Sequence, residues 1–79
     1  MSISLLRPSK AYARLGMSRS SFYSQISEGL LPRPVSIGSR SVALPDHEID
    51  EVIKARLSGK TDDEIKALVR RLEASRKAT

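Results

Sequence analysis

Apolar residues are spaced differently along successive stretches of this chain, and each change of spacing falls at residues that start or stop a helix. Residues 8–15, PSKAYARL, open on a proline, which suits a helix N-terminus because its missing N–H would be unpaired there anyway. They close at Gly16, suited to a C-terminal turn. A short first helix is predicted. After Gly16-Met17, Ser18 stands where an N-cap should be, Phe22 and Ile26 fall four apart on one face, and Gly29 ends the pattern. The second helix therefore covers 18–28, and two helices joined by a tight glycine turn predict a helix-turn-helix. In LLPRPV two prolines separated by one residue exclude helix and hold the backbone extended, so this segment is expected to cross open space. Val35 and Ile37 then alternate around Ser36, and Val42 and Leu44 around Ala43, with Gly38-Ser39-Arg40-Ser41 at the tip. An isolated hairpin is marginally stable, so its Val35/Ile37/Val42/Leu44 face is expected to lean on the helices as a two-stranded wing over 35–44.

Two further helices follow. Pro45 starts PDHEIDEVIKARL, with Asp46, Glu48, Asp50 and Glu51 early and Lys54 and Arg56 late, as a helix dipole favours. Ile49, Val52, Ile53 and Leu57 form its apolar stripe, and Ser58-Gly59 break it. Thr61-Asp62-Asp63-Glu64 is a capping box, and Ile65, Leu68, Val69 and Leu72 give the next stripe. This C-terminal helix over 61–75 is read as serving packing or dimerisation; its stripe is too short for a coiled coil. The tail from Arg76 is expected to fray. The fold class is mainly α with a small β-hairpin: a winged helix-turn-helix, then two helices, in a single domain over 1–79.

A chain of 79 residues buries a small core, about 60 to 65% of its unfolded surface, which favours a binding surface over a deep catalytic pocket. The absence of cysteine excludes disulfides, thiolate metal sites and thiol catalysis, and the chain reads as cytoplasmic. No apolar run approaches the ~20 residues of a membrane span, and the N-terminus lacks the pattern of a signal peptide. Charge changes the picture further. Through Leu44 six bases (Arg7, Lys10, Arg14, Arg19, Arg33, Arg40) face one acid, Glu28, whereas from Pro45 onward eight bases face eight acids. The whole excess of +5 lies in the first 44 residues, as expected if that half meets a polyanion.

Two blocks, Gly16-Met17-Ser18-Arg19-Ser20-Ser21-Phe22-Tyr23 and Leu31-Pro32-Arg33-Pro34-Val35-Ser36-Ile37-Gly38-Ser39-Arg40-Ser41-Val42, are similar in order and separation to G-L-S-R-S-T-I-Y and F-P-x-P-V-x-L-G-x-R-x-V of the AlpA family of phage-type regulators. The resemblance covers about Leu5 to Leu57. It implies a winged helix-turn-helix core over 5–57, of the kind shared with excisionases and MerR-type domains. It also implies sequence-specific binding of double-stranded DNA by a transcriptional regulator or excisionase-like factor. Leu44 stands where the family usually has a tryptophan, and Ser24 where it often has a basic residue.

With Phe22 and Ile26 buried, 100° per residue puts Ser20, Ser24 and Ser27 on the opposite side, Arg19 and Tyr23 along one flank and Ser21 on the other. A major groove admits a helix and serine pairs with several base edges, so Ser20 and Ser24 are candidate base contacts, while Ser18 reads as a cap. Arg19 lies in the first helical turn, where a cation disfavours the dipole, and a phosphate or guanine partner would account for it. Tyr23 either brings its hydroxyl to a phosphate or packs beside the wing. Ser39 and Arg40 at the hairpin tip are candidates for the backbone or minor groove, and Arg33 between prolines is a candidate phosphate clamp; Lys10 and Arg14 add to the field. No catalytic residue, metal ligand, cofactor or small-molecule ligand is called for: His47 is the lone histidine, and the acids around it suit a helix start. Two alternatives remain at this level, a structured-RNA binder and an antitoxin-like or adaptor module working through the C-terminal helices. A homodimer through the last helix would read two half-sites about one helical turn apart.

Overall fold

The computed structural model describes residues 3–78. Its elements, in chain order, are β1 (Leu5–Leu6), α1 (Pro8–Leu15), α2 (Arg19–Ser27), β2 (Val35–Gly38), β3 (Ser41–Pro45), α3 (Asp46–Leu57), α4 (Asp62–Ser75) and a closing 3-10 turn, Arg76–Ala78. Punctuation sets most of the boundaries. Pro8 begins α1, and Gly16 ends it at φ 69°, a left-handed conformation in which its N–H donates to the carbonyl of Ala13. Ser18 caps α2 by accepting from the Ser21 N–H at 3.2 Å. At α4 the Thr61 hydroxyl accepts from the Glu64 N–H while the Glu64 carboxylate accepts from the Thr61 N–H at 2.9 Å, the reciprocal capping box.

The wing belongs to a three-stranded antiparallel sheet in the order β1-β3-β2, rather than standing as two strands. Leu5 pairs with Pro45 and Leu6 with Leu44, and the Ser4 carbonyl accepts from the Asp46 N–H at 2.8 Å, which pins the start of the chain to the start of α3. This makes β3 the central strand. Ala43, Leu44 and Pro45 are consecutively buried, so both faces of β3 are covered. Leu44 is fully buried without the bulk of a tryptophan.

The alternation expected of the wing fails at one residue. Val35 pairs with Ala43 and Ser36 with Val42, but Gly38 pairs with Ser41, leaving Ile37 as the extra residue of a bulge. Cross-strand partners share a face, so Val35 and Leu44 lie on opposite faces, and the bulge re-aims Ile37, which is 45% exposed. The single face Val35/Ile37/Val42/Leu44 does not form. The segment before it also departs from expectation: Leu30, Leu31 and Pro32 are buried, so the extended stretch runs through the core instead of across open space.

One apolar cluster joins α1, α2, the sheet and the later helices through Ala11, Phe22, Leu31, Leu44, Ile49 and Ile65. On α3 the buried side is Glu48, Ile49, Val52 and Ala55, and Leu57 is 83% exposed. At 100° per residue the centre of that arc lies between Val52 and Ala55, and Leu57 falls well outside it. On α4, Ile65 and Val69 are buried in the common core and Leu68 and Leu72 pack partly against it.

Glu48 explains the shifted arc. Its side chain is fully buried, and its carboxylate receives the Nε–H of Arg76 at 2.9 Å and a second bond from the same guanidinium. The C-terminal residues are therefore not frayed at Arg76; the Glu48 carboxylate bonded to it raises the guanidinium pKa further above its ordinary value, keeping it charged. Removing one partner of a buried pair strands the other charge. Arg76→Ala should lower the unfolding free energy by about 3 kcal/mol, and replacing Glu48 and Arg76 together with methionine should restore most of it, both read from urea midpoints.

The capping box gives a pH dependence. The Thr61 backbone N–H, then its hydroxyl, hold the Glu64 carboxyl below the usual carboxylate range. A depressed folded-state value means a contribution that is present above the unfolded pKa and lost as pH falls through the folded one. The urea midpoint of Glu64→Gln should therefore fall less than that of the parent chain between about pH 5 and about pH 3.

Candidate nucleic-acid interface

The outward face of α2 carries mainly short side chains, and the Ser18 cap fixes where the helix begins. Ser20, Ser21 and Ser24, with Gln25 and Glu28, line a shallow open depression of about 370 Å³. The Ser24 hydroxyl lies 3.5 Å from the Glu28 carboxylate, to which it donates, and Gln25 accepts from Arg56 of α3 at 3.3 Å. Ser27 is exposed but lies outside this depression: its hydroxyl donates back to the Ser24 carbonyl at 3.0 Å, and the residue lines a separate hollow toward α4. Ser18 is used as the cap.

Arg19 and Tyr23 form the flank of the same helix. The Arg19 guanidinium lies 5.6 Å from the centre of the Tyr23 ring, one turn away, and that ring meets the buried Phe22 edge-on at 5.1 Å. Tyr12 also packs against Phe22, its ring centre 5.6 Å away. Tyr23 is thus packed on Phe22 through its ring and 39% exposed, and it steers Arg19 along the helix flank.

The remaining candidates sit on other elements. Ser39 and Arg40 form the exposed turn between β2 and β3, and Arg40 has φ 64°, the one non-glycine residue with positive φ among the described residues. Arg33 is exposed in side chain but tied in backbone: its N–H donates to Glu73 and its carbonyl accepts from Arg76, both at 2.8 Å. Arg14 is paired with Asp50 across α1 and α3, so its charge is partly answered within the molecule. The structure therefore places Arg19, Ser20, Tyr23 and Ser24 on one helix, Arg33 at the exit from that helix, and Ser39 and Arg40 at the tip of the wing.

Sequence reasoning missed Glu28, Glu73 and the Glu48–Arg76 pair. Glu48 had a usable signal, since it lies on the same helical arc as Val52 and Ala55; Arg76 had none, because its partner is set by the tertiary fold. His47 is exposed and lines a largely apolar hollow of about 330 Å³ with Ile3, Val35, Pro45 and Leu72. Among the described residues no group of histidine, aspartate and glutamate is arranged to hold a metal ion, and no helix is long and apolar enough to cross a membrane.

A left-handed backbone costs a non-glycine residue roughly 1 kcal/mol. Arg40→Gly should accordingly stabilise the chain by up to about that amount, measured by thermal or urea unfolding, although it removes the charge from the tip.

No curated protein and no solved structure matches the chain significantly. Residues 4–57, which run from just before β1 to the last residue of α3, match the family model described as the prophage CP4-57 regulatory protein (AlpA). That match covers more than half of the chain and contains the capped helix, its buried linker and the wing; the protein belongs to the AlpA family of prophage regulators.

Proposed function

We propose that this chain is a sequence-specific double-stranded-DNA-binding regulator, without catalytic activity, that acts by occupying its site in the cytoplasm, at the nucleoid. The α2 helix enters the major groove with Ser20 and Ser24 toward base edges, where their small size permits close approach. Arg19, braced by Tyr23, takes a phosphate or a guanine at the groove edge, and the Tyr23 hydroxyl lies beside it for a phosphate. Arg33 clamps the backbone at the helix exit. The wing sets Ser39 and Arg40 against the backbone or the minor groove.

The observation that carries this reading is an exposed, serine-lined face on a capped helix, flanked by a braced arginine and followed by an arginine-tipped hairpin. A catalytic reading would need convergent groups in an enclosed pocket, and the candidate residues lie instead on three exposed elements. Membership of a prophage regulatory family supports the same conclusion. Any dimer would leave most of the α4 stripe in place, because Ile65 and Val69 are already used within one chain.

Fluorescence anisotropy with labelled duplex DNA at rising salt tests the proposal. The logarithm of the binding constant should fall linearly with the logarithm of salt concentration, and Arg19→Ala with Arg40→Ala together should make that slope shallower by about 2. Binding indifferent to salt, equal binding of duplex RNA, or an unchanged double variant would each overturn it.

A further inference from the structure

Three cations from two elements line a depression adjoining the serine face. Arg33 of the linker and Lys66 and Arg70 of α4 border a hollow of about 240 Å³ that also takes in Ser27, Glu28 and Gly29 at the end of α2. Lys66 and Arg70 are four residues apart, hence on one ridge of α4, next in register to the buried Ile65 and Val69. Lys66 lays its aliphatic stem beside Gly29: a Cβ added there would stand 3.9 Å from the Lys66 Cγ. A lysine so packed spends its stem on the protein and keeps its ammonium in solvent.

Two carboxylates, Glu28 and Glu73, border the same hollow, so three cations less two anions leave it a formal charge of +1, and each carboxylate accepts a hydrogen bond from a neutral donor. Glu73 accepts the Arg33 N–H, and Glu28 accepts from the Ser24 hydroxyl. Because Arg76 holds the Arg33 carbonyl at the same time, the linker backbone is fixed from both sides and the Arg33 side chain starts from a set position. Glu28 borders both this hollow and the serine-lined one, so the two surfaces are continuous around the end of α2.

We propose that Arg33, Lys66 and Arg70 form a second phosphate-binding site, which grips the DNA backbone flanking the groove segment that α2 enters. The proposal rests on the DNA-binding reading above. Lys66 and Arg70 lie beyond residues 4–57, so α4 supplies two of the three cations from outside the part of the chain that matches the family model, and Arg33 supplies the third from within it. The helix then has two roles at once: one face closes the core, and the adjacent ridge meets the nucleic acid.

Two double variants of the full chain that remove the same charge test it. Lys66→Gln with Arg70→Gln removes two of the three cations of the proposed site and keeps much of each side-chain stem; Lys60→Gln with Arg71→Gln removes two cations from a different hollow, beside Ala55 and Leu68. Salt titrations against the same labelled duplex should show the first pair with a slope shallower by about 2 and binding weaker by on the order of tenfold to a hundredfold near 0.1 M salt. The second pair should keep the slope of the parent chain. Urea midpoints of both pairs, compared with the parent, separate a binding loss from unfolding. An unchanged slope in the first pair, or equal loss in both pairs, overturns the second site while leaving the α2 reading intact. A parent chain that does not bind duplex DNA overturns both.

Discussion

A carboxylate with no exposed surface has to be answered, and in this protein the answer to Glu48 comes from Arg76, which lies beyond the last α-helix. Breaking such a pair leaves a charge in a medium that cannot solvate it, so the arrangement constrains more than its own two residues. The same guanidinium bonds the Arg33 carbonyl, and Glu73, one turn earlier, takes the Arg33 N–H. The end of α4 thereby holds the linker between the candidate recognition helix and the wing. Neither of those elements could keep its relation to the other through the linker alone, whose prolines remove donors that a loop would otherwise use.

Around this clasp the proposed binding surface would divide its labour. Small hydroxyls would allow α2 to approach closely but discriminate bases weakly, whereas the arginines would carry charge and little sequence information where they meet phosphate. Specificity in such an arrangement comes from geometry: how the helix and the wing tip are spaced sets which groove shapes they fit together. A positive φ at Arg40 fits this picture, because a glycine there would relieve the strain but could not supply the side chain.

Much of this was legible in the sequence, wherever the cause is local. Pro8, Gly16, Ser18 and Thr61 mark helix ends through their own backbone and side-chain chemistry, and the structure uses each of them so. The helical arc of α2 placed Ser20 and Ser24 outward and Phe22 inward. Non-local causes were not legible. The strand at Leu5–Leu6 is too short for a pattern and exists because β3 offers it an edge; the bulge at Ile37 breaks an alternation that the residues themselves display. Glu48 looked like an ordinary acid at a helix start, since nothing near it in the chain reveals Arg76. Periodicity also placed Ser27 outward, and it is exposed, but its hydroxyl is occupied by a bond to the Ser24 carbonyl of its own helix.

The hollow bordered by Ile3 and Arg76 brings residues from nearly opposite ends of the described chain to one surface. Through its bonds to the Glu48 carboxylate and to the Arg33 carbonyl, the last turn ties the C-terminal end both to the core and to the linker. A substitution at that turn therefore reaches the linker between α2 and the wing without touching either element directly.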